Sequence, residues 1–517
     1  MNDAIPGAAA RPVNLGSLLT RQALYHPNQI GVVCGAHRLP FVEVNARVNR
    51  LAHALLRLGF RKGEALALML PNGIELLDAH RACALLGVVA VPLSPMLRGE
   101  GLVTLLRDSS SRAVIAFPGA VQALDLARRE LGESLGNRCI LTAQDGHVDY
   151  LDYAALVNEM PSTTPDVPNV SGDDVFNIIY SSGTTGQPKG IVLTHTVRAR
   201  YATLFAAQFR ITPESVVLHT GSLVFNGAFV TMMASWLTGC RYIVHERFDA
   251  VAFLETVERE GVTHVMLVPS QIVAIFGAPS FSARKLASIQ MFCSVGAPWH
   301  RELKEKALEA IPNSCYELHG LTEGFITVLD RSDFAAHMES VGFPIPFGEM
   351  RIIDGEGNAV APGVVGEIIC RSPIMMSHYH RQPELTAAAL RDGWLHTGDL
   401  GMVDDEGFLH LVDRKKDMLI SGGVNVYPRD IEEVAARHAD VREVAVFGVS
   451  SERWGESPMA AVILRDGATV TGEELKLWIN ARVAARFQEL REIVILTDFP
   501  RSTAGKTLKR LLREQYA

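Results

Sequence analysis

The sequence predicts an α/β protein, with a large N-terminal domain of helix-covered, largely parallel sheets, a small β-rich subdomain and an α+β C-terminal domain. Three observations predict it. Between residues 51 and 295, short runs of β-forming residues alternate with helix-length segments of apolar periodicity. From residue 345 the texture changes to short strands punctuated by glycine, and after Asp413 it changes again to a compact mixture of helices and strands.

The elements follow in order. LAHALLRL (51–58) has helical apolar spacing, and ALALML (65–70) reads as a buried strand. GIELLDAHRACALLG (73–87) is a helix feeding the strand VVAVPL (88–93). RAVIAF (112–117), SVVLHT (215–220), THVMLVPS (263–270) and QMFCSV (290–295) continue the series. Strand–helix alternation makes consecutive strands parallel and covers the sheet with helices. The stretch 151–174, ending in PSTTPDVPNVSGDD, is expected to be a connector separating two subdomains ahead of the strand VFNIIY (175–180). RIIDGEGNAVAPGVVGEIICR (351–371) and GMVDDEGFLHLVDR (401–414) supply the β-rich subdomain. Beyond them, helices are expected at 428–437 and 472–486, with strands at 441–449, 459–465 and 492–499.

Composition narrows the function classes. A chain of 517 residues corresponds to roughly three structural units. With 48% hydrophobic residues it has ample material for a large core, which excludes disorder for the bulk of the chain. Lys and Arg number 49 against 57 Asp and Glu, a net charge of −8 without a long basic run, so a nucleic-acid partner is disfavoured. Seven cysteines (Cys34, Cys83, Cys139, Cys240, Cys293, Cys315, Cys370) lie singly, which argues for reduced thiols and against a disulfide framework or zinc site. No secretory signal and no transmembrane segment is expected, and the expected location is cytoplasmic.

The most informative stretch is Tyr180-Ser181-Ser182-Gly183-Thr184-Thr185-Gly186-Gln187-Pro188-Lys189-Gly190. Glycines let backbone N–H groups turn toward an anion, hydroxyls add donors, and one lysine adds charge, so the loop suits a polyphosphate. It is not a Walker A loop, because Lys189 is followed by Gly190 and not by Ser or Thr. By composition alone, a flexible surface loop is the competing reading.

The order of these residues resembles the phosphate loop of the adenylate-forming superfamily: acyl-CoA synthetases, peptide-synthetase adenylation domains and firefly luciferase. Further segments extend the resemblance along the chain: His319-Gly320-Leu321-Thr322-Glu323, Gly393 to Asp399 (GWLHTGD), Asp413-Arg414-Lys415-Lys416-Asp417, Ser421-Gly422-Gly423 and Pro500 to Lys506 (PRSTAGK). The resemblance implies an N-terminal domain over 1–413 that binds AMP and the acyl group, and a mobile C-terminal domain over 414–517. It also implies an acid–thiol ligase of two steps, in which a carboxylate attacks the α-phosphorus of ATP and a thiol then takes the acyl group.

The residue roles come from the same resemblance. Ser181, Ser182, Gly183, Thr184, Thr185, Gly186 and Lys189 would cradle the β- and γ-phosphates. Glu323, assisted by Thr185, would hold Mg²⁺; Asp399 and Arg414 would meet the ribose; and His319, Gly320 and Thr322 would adjoin the nucleotide. Lys506 would enter from the mobile domain to bridge the carboxylate and α-phosphate, with the hinge at Lys416. Gly423 would let the pantetheine arm of CoA pass the backbone. The acid pocket would draw on Phe225, Asn226, Phe229, Val295, Gly296, Leu318 and Phe325, a lining without fixed charge.

Three positions depart from the family pattern. His319 stands where Tyr is common, Phe225 where His is frequent, and Ser294-Val295-Gly296-Ala297-Pro298 replaces a Gly-Gly pair. The leading expectation is an AMP-forming acyl-CoA synthetase for a fatty, alicyclic or aryl acid, with ATP and CoA as co-substrates. The alternative is a stand-alone enzyme that loads an acyl group onto a carrier protein. Amino-acid substrates are disfavoured because Phe225 precedes neutral Asn226 where an Asp would pair the ammonium.

Overall fold

The computed structural model describes residues 14–132, 135, 138–166, 169–181, 189–414, 417–421, 424–451, 455–483, 485–501 and 507–516. Among them, four sheets form. The first runs in the order Phe343–Pro344, Ile326–Leu329, Cys315–Gly320, Met291–Val295, His264–Leu267, Val216–His219, Arg241–Val244, Ile30–Cys34, His37–Pro40. It is parallel through its middle and antiparallel at both ends. The second runs His378–Tyr379, Lys189–Thr194, Val175–Ser181, Val89–Pro92, Ala65–Met69, Ala113–Ala116, Cys139–Leu141, Leu151–Asp152.

A helical layer lies between these two sheets, and the sequence shows why. Every residue of Ile74–Leu86 except Glu75 is buried, including the polar Asp78, His80 and Arg81, so the helix is covered on all sides. It packs on the helix Phe41–Arg57, and its His80 and Arg81 meet Phe229 and Trp236 of the helix Ala228–Thr238, which packs in turn on His195–Gln208. One hydrophobic cluster runs from Leu66, Ala90 and Ile191 in the second sheet to Val32, Val217 and Tyr242 in the first. The predicted strand at 65–70 is buried along its whole length, as a helix-covered parallel strand should be.

The β-rich subdomain is an antiparallel sheet of Glu349–Ile353, Gly366–Arg371, Leu390–Arg391, Trp394–Val403 and Leu409–Arg414. Beyond it, Leu419–Ser421, Val424–Val426, Val441–Ser451, Gly455–Leu464 and Ile493–Ile495 form a sheet with its own apolar clusters. The helices Pro428–Ala436, Gly472–Asn480 and Lys509–Tyr516 accompany it.

Three expectations change. The stretch 151–174 is not a plain connector: it opens with strand Leu151–Asp152 and helix Tyr153–Asn158, whose first turn is capped by the Asp152 carboxylate accepting from the Ala155 amide. The strands on either side of it belong to the same sheet, so it separates no subdomains. The helix at 51–58 extends back to Phe41, and the one at 472–486 stops at Asn480. There the Asn480 amide bonds both the N–H and the carbonyl of Leu490, folding the chain back.

A buried ion pair joins Lys304, on the helix Arg301–Ala310, to Glu317 on the strand that also carries His319. Lys304→Met should destabilise the protein by about 3–5 kcal/mol in urea unfolding, because it strands a buried carboxylate. Burial already holds the Glu317 carboxyl above its usual range. The deficit should therefore shrink as pH falls and that carboxyl protonates. A deficit independent of pH would assign the loss to packing instead.

Candidate active site

The strands Val175–Ser181 and Lys189–Thr194 pair antiparallel, with Ser181 opposite Lys189, so both ends of the intervening loop are clamped together. Ser182, Gly183, Thr184, Thr185 and Gly186 lie outside the described residues, as does the side chain of Ser181. Lys189 is half-buried, and its ammonium sits 5.5 Å from the centre of the Tyr379 ring, a cation–π contact. The Tyr379 hydroxyl in turn donates to Glu323 Oε1 at 2.8 Å. Burial, reinforced by the Glu323 charge, raises the Tyr379 phenol well above its ordinary pKa, so it stays a donor.

Tyr379 belongs to a strap, residues 372–380, that stitches the two large sheets together. The Met376 amide donates to the Glu323 carbonyl at 2.8 Å, Ser377 to Val192 at 2.9 Å and His380 to Gly190 at 2.7 Å. The strap lies so close to the chain at Gly324 that a Cβ there would meet Met375 Cα at 2.3 Å, and Gly324 holds a φ of +116°. Only glycine fits under it.

A second cluster sits four residues upstream of Glu323. The His319 Nε2 is 3.7 Å from Asp399 Oδ2, and its ring meets Phe325 edge-on at 6.1 Å. Asp399 lies opposite Arg414 in the sheet register, with Arg414 Nε 3.6 Å from Asp399 Oδ1. Asp399 is buried and its amide donates to Thr397 Oγ1. Gly320 has no room for a Cβ, which would lie 2.5 Å from the Phe325 carbonyl oxygen. Thr322 is half-buried in the turn between the clusters.

For the acid pocket, Val295 and Leu318 are register neighbours on parallel strands, and Gly296 follows with φ +86°. Leu318, Phe229 and Phe325 are buried in the main core cluster, and Phe225 and Val295 pack against it. Asn226 is neutral, as the expected lining requires, and it is held by a buried cation and a tyrosine. Its Oδ1 accepts from the guanidinium of Arg198 at 2.9 Å, and its Nδ2 donates to the Tyr201 hydroxyl at 3.0 Å.

Sequence reading missed Tyr379 and Arg198. Tyr379 sits in a two-residue strand with no periodicity to reveal it. Arg198 left a signal: it shares helical spacing with Tyr201, Ala202 and Phe205, all buried.

Lys416, Gly423 and Lys506 lie outside the described residues. Among the described residues no cluster of three or more His, Cys, Asp or Glu could hold a metal. Glu323 offers one carboxylate, which suits Mg²⁺, an ion that keeps waters and phosphate oxygens as most of its ligands. All seven cysteines are buried and unpaired; burial lifts the Cys34 thiol to about 11 and Cys139 to about 12. None is poised as a nucleophile. No described helix is long and apolar enough to cross a membrane.

Residues 19–380 match the family of AMP-binding enzymes, and residues 430–506 match the AMP-binding enzyme C-terminal domain. A feruloyl-CoA synthase of Amycolatopsis sp is 33% identical over 98% of this chain and 100% of its own. A long-chain-fatty-acid–CoA ligase of Mycobacterium tuberculosis is 31% identical over 98% and 99%. The solved structure of ATP-bound MatB from Rhodopseudomonas palustris superposes with a TM-score of 0.89 at 26% identity, covering 98% of this chain and 99% of that one.

The Tyr379–Glu323 bond makes a checkable statement. Hydrogen bonds to charged groups contribute about 1.5–3 kcal/mol. In a double-mutant cycle of Tyr379→Phe and Glu323→Gln, urea unfolding should return a coupling of at least 1 kcal/mol. Additive losses would show that the two groups do not interact.

Proposed function

The chain belongs to the AMP-binding enzyme family, and from that premise we propose that it activates a carboxylic acid with an apolar body: fatty, alicyclic or aryl. It is an AMP-forming acid–CoA ligase. The acid's carboxylate displaces pyrophosphate from the α-phosphorus of ATP, and the CoA thiol then takes the acyl group, releasing AMP and a proton. With the chain's own thiols buried, the thiol of the second step belongs to the co-substrate.

The observation that supports the reading best is the convergence of Lys189 and Glu323 on Tyr379, while His319 meets Asp399. Positioning and charge neutralisation, not a proton-transfer triad, are what phosphoryl and adenylyl transfer demand. Lys189 offers charge to the β- and γ-phosphates beside the loop that begins at Ser181. Asp399 is acceptor-only and takes hydrogen bonds from ribose hydroxyls, with Arg414 alongside. His319 presents its ring to the adenine. Glu323 and Thr185 would hold Mg²⁺, which when bound neutralises phosphate charge. Lys506 meets the charge that builds on the α-phosphate, and Gly423 lets CoA pass after the C-terminal domain, 414–517, turns about Lys416. The apolar body rests among Phe225, Phe229, Val295 and Leu318.

A panel of carboxylic acids with ATP, Mg²⁺ and CoA tests the reading, with AMP and acyl-CoA expected from apolar acids. Acyl-AMP without thioester, with CoA present, would transfer the acceptor role to a carrier protein. Half-reactions measured separately test the division of labour. Lys506→Ala should slow acyl-AMP formation by about 10²–10³, roughly 2.7–4 kcal/mol of barrier, while supplied acyl-AMP still reacts with CoA. Gly423→Leu should show the reverse. Equal loss of both steps in both variants contradicts the turning domain.

A further inference from the structure

Arg198 lies wholly inside the helical layer, with 0% of its surface exposed. Its guanidinium contacts only neutral groups among the described residues. Nε and one terminal nitrogen reach Asn177 Oδ1 at 3.2 Å, and the other terminal nitrogen reaches Asn226 Oδ1 at 2.9 Å. The rings of Phe229 and Tyr201 lie 4.1 and 4.8 Å from it. No described carboxylate pairs with it. Burial draws its pKa down to about 10, so at neutral pH the charge remains.

The polar groups around this cation are short of acceptors. Asn177 Nδ2 is buried without a partner. His80, edge-on to Phe229 at 5.3 Å, has no partner at either ring nitrogen. Burial, with Arg198 and Arg81 nearby, lowers the His80 pKa to about 3, so it is neutral and one ring nitrogen carries an N–H. Tyr201 accepts from Asn226 and still has its own O–H to donate. All three guanidinium nitrogens are engaged, by Asn177 and Asn226, and the Tyr201 hydroxyl adds a further bond, yet every one of these acceptors is neutral. An isolated buried charge is costly, and buried donors are ordinarily satisfied. What the cluster lacks is an anion with several lone pairs. Asn226, half-buried in the acid pocket, currently offers Arg198 only a neutral amide oxygen.

The geometry points to a second anchoring point in the acid pocket: Arg198, with Asn177 and Asn226, receives a distal carboxylate of the acid, so the preferred substrates are dicarboxylic acids with an apolar spacer. This rests on the acid-activating reading and sharpens it. The reacting carboxylate goes to ATP, and the second carboxylate supplies the charge that the helical layer lacks. The phenyl and aliphatic walls, Phe225, Phe229, Val295 and Leu318, hold the spacer.

Matched pairs test it in the full-length protein: octanedioic against octanoic acid, dodecanedioic against dodecanoic acid, and 4-carboxycinnamic against cinnamic acid, each by adenylation kcat/KM. At least one diacid should exceed its monoacid by tenfold or more. Arg198→Met should lower that ratio by about 10- to 100-fold, as loss of a charged hydrogen bond requires, and Arg198→Lys should keep part of it. If Arg198→Met does not fold, the wild-type ratio decides alone. Monoacids matching or exceeding their diacids throughout would overturn the inference and leave the acid-activating reading intact. If no acid of either kind is adenylated, that reading fails; calorimetric binding of the diacids, absent for the monoacids, would still uphold the anchoring point, and no binding would overturn it.

Discussion

The site depends on nine residues, 372–380, that cross from one large sheet to the other. Neither sheet alone contains the chemistry: Lys189 begins a strand of one, and Glu323 follows a strand of the other. The strap's amides bond carbonyls on both sides, and Tyr379 touches both functional side chains at once. On the proposed reading, phosphate charge and metal charge would be offset within a few ångströms of each other, and a Coulomb interaction falls away with distance and with solvent. A covalent strap with three backbone bonds sets that separation more tightly than surface side chains would. The glycine beneath it, with no room for a Cβ, is the steric counterpart of the same constraint.

The helical layer between the sheets carries a different kind of chemistry. It is almost wholly apolar, yet it encloses Arg198, His80, Asn177 and Arg81. Polar groups in such surroundings are held by definite partners or left for a ligand. Arg81 lies beside Trp236 and within reach of the Asp78 charge, although one of its terminal nitrogens is buried without a partner. Arg198 has no described carboxylate beside it and bonds the neutral amides of Asn177 and Asn226.

Much of this was legible in the sequence where one physical signal dominated. The continuous apolar run ALALML reads as a buried strand, and the structure buries all of Ala65–Met69. Glu323, Asp399 and Arg414 were legible because their motifs carry them, and the structure brings Asp399 beside both His319 and Arg414. Periodicity failed at 151–174, where one helical turn capped by Asp152 is too short to show a pattern. It also failed at Tyr379, whose importance comes from long-range contacts with Glu323 and Lys189 that no local window contains. Arg198 was hidden by the habit of reading arginine as surface, although its helical neighbours were all core residues.

The central claim is that the strap makes the ends of two sheets into one site. Native-state hydrogen exchange tests it directly, because it reads the opening of individual backbone bonds. On addition of ATP and Mg²⁺, the amides of Met376, Ser377 and His380 should slow together with those of 190–193 and 319–324, as one cooperative unit. Slowing confined to 190–193, with the strap and 319–324 exchanging as before, would contradict the account.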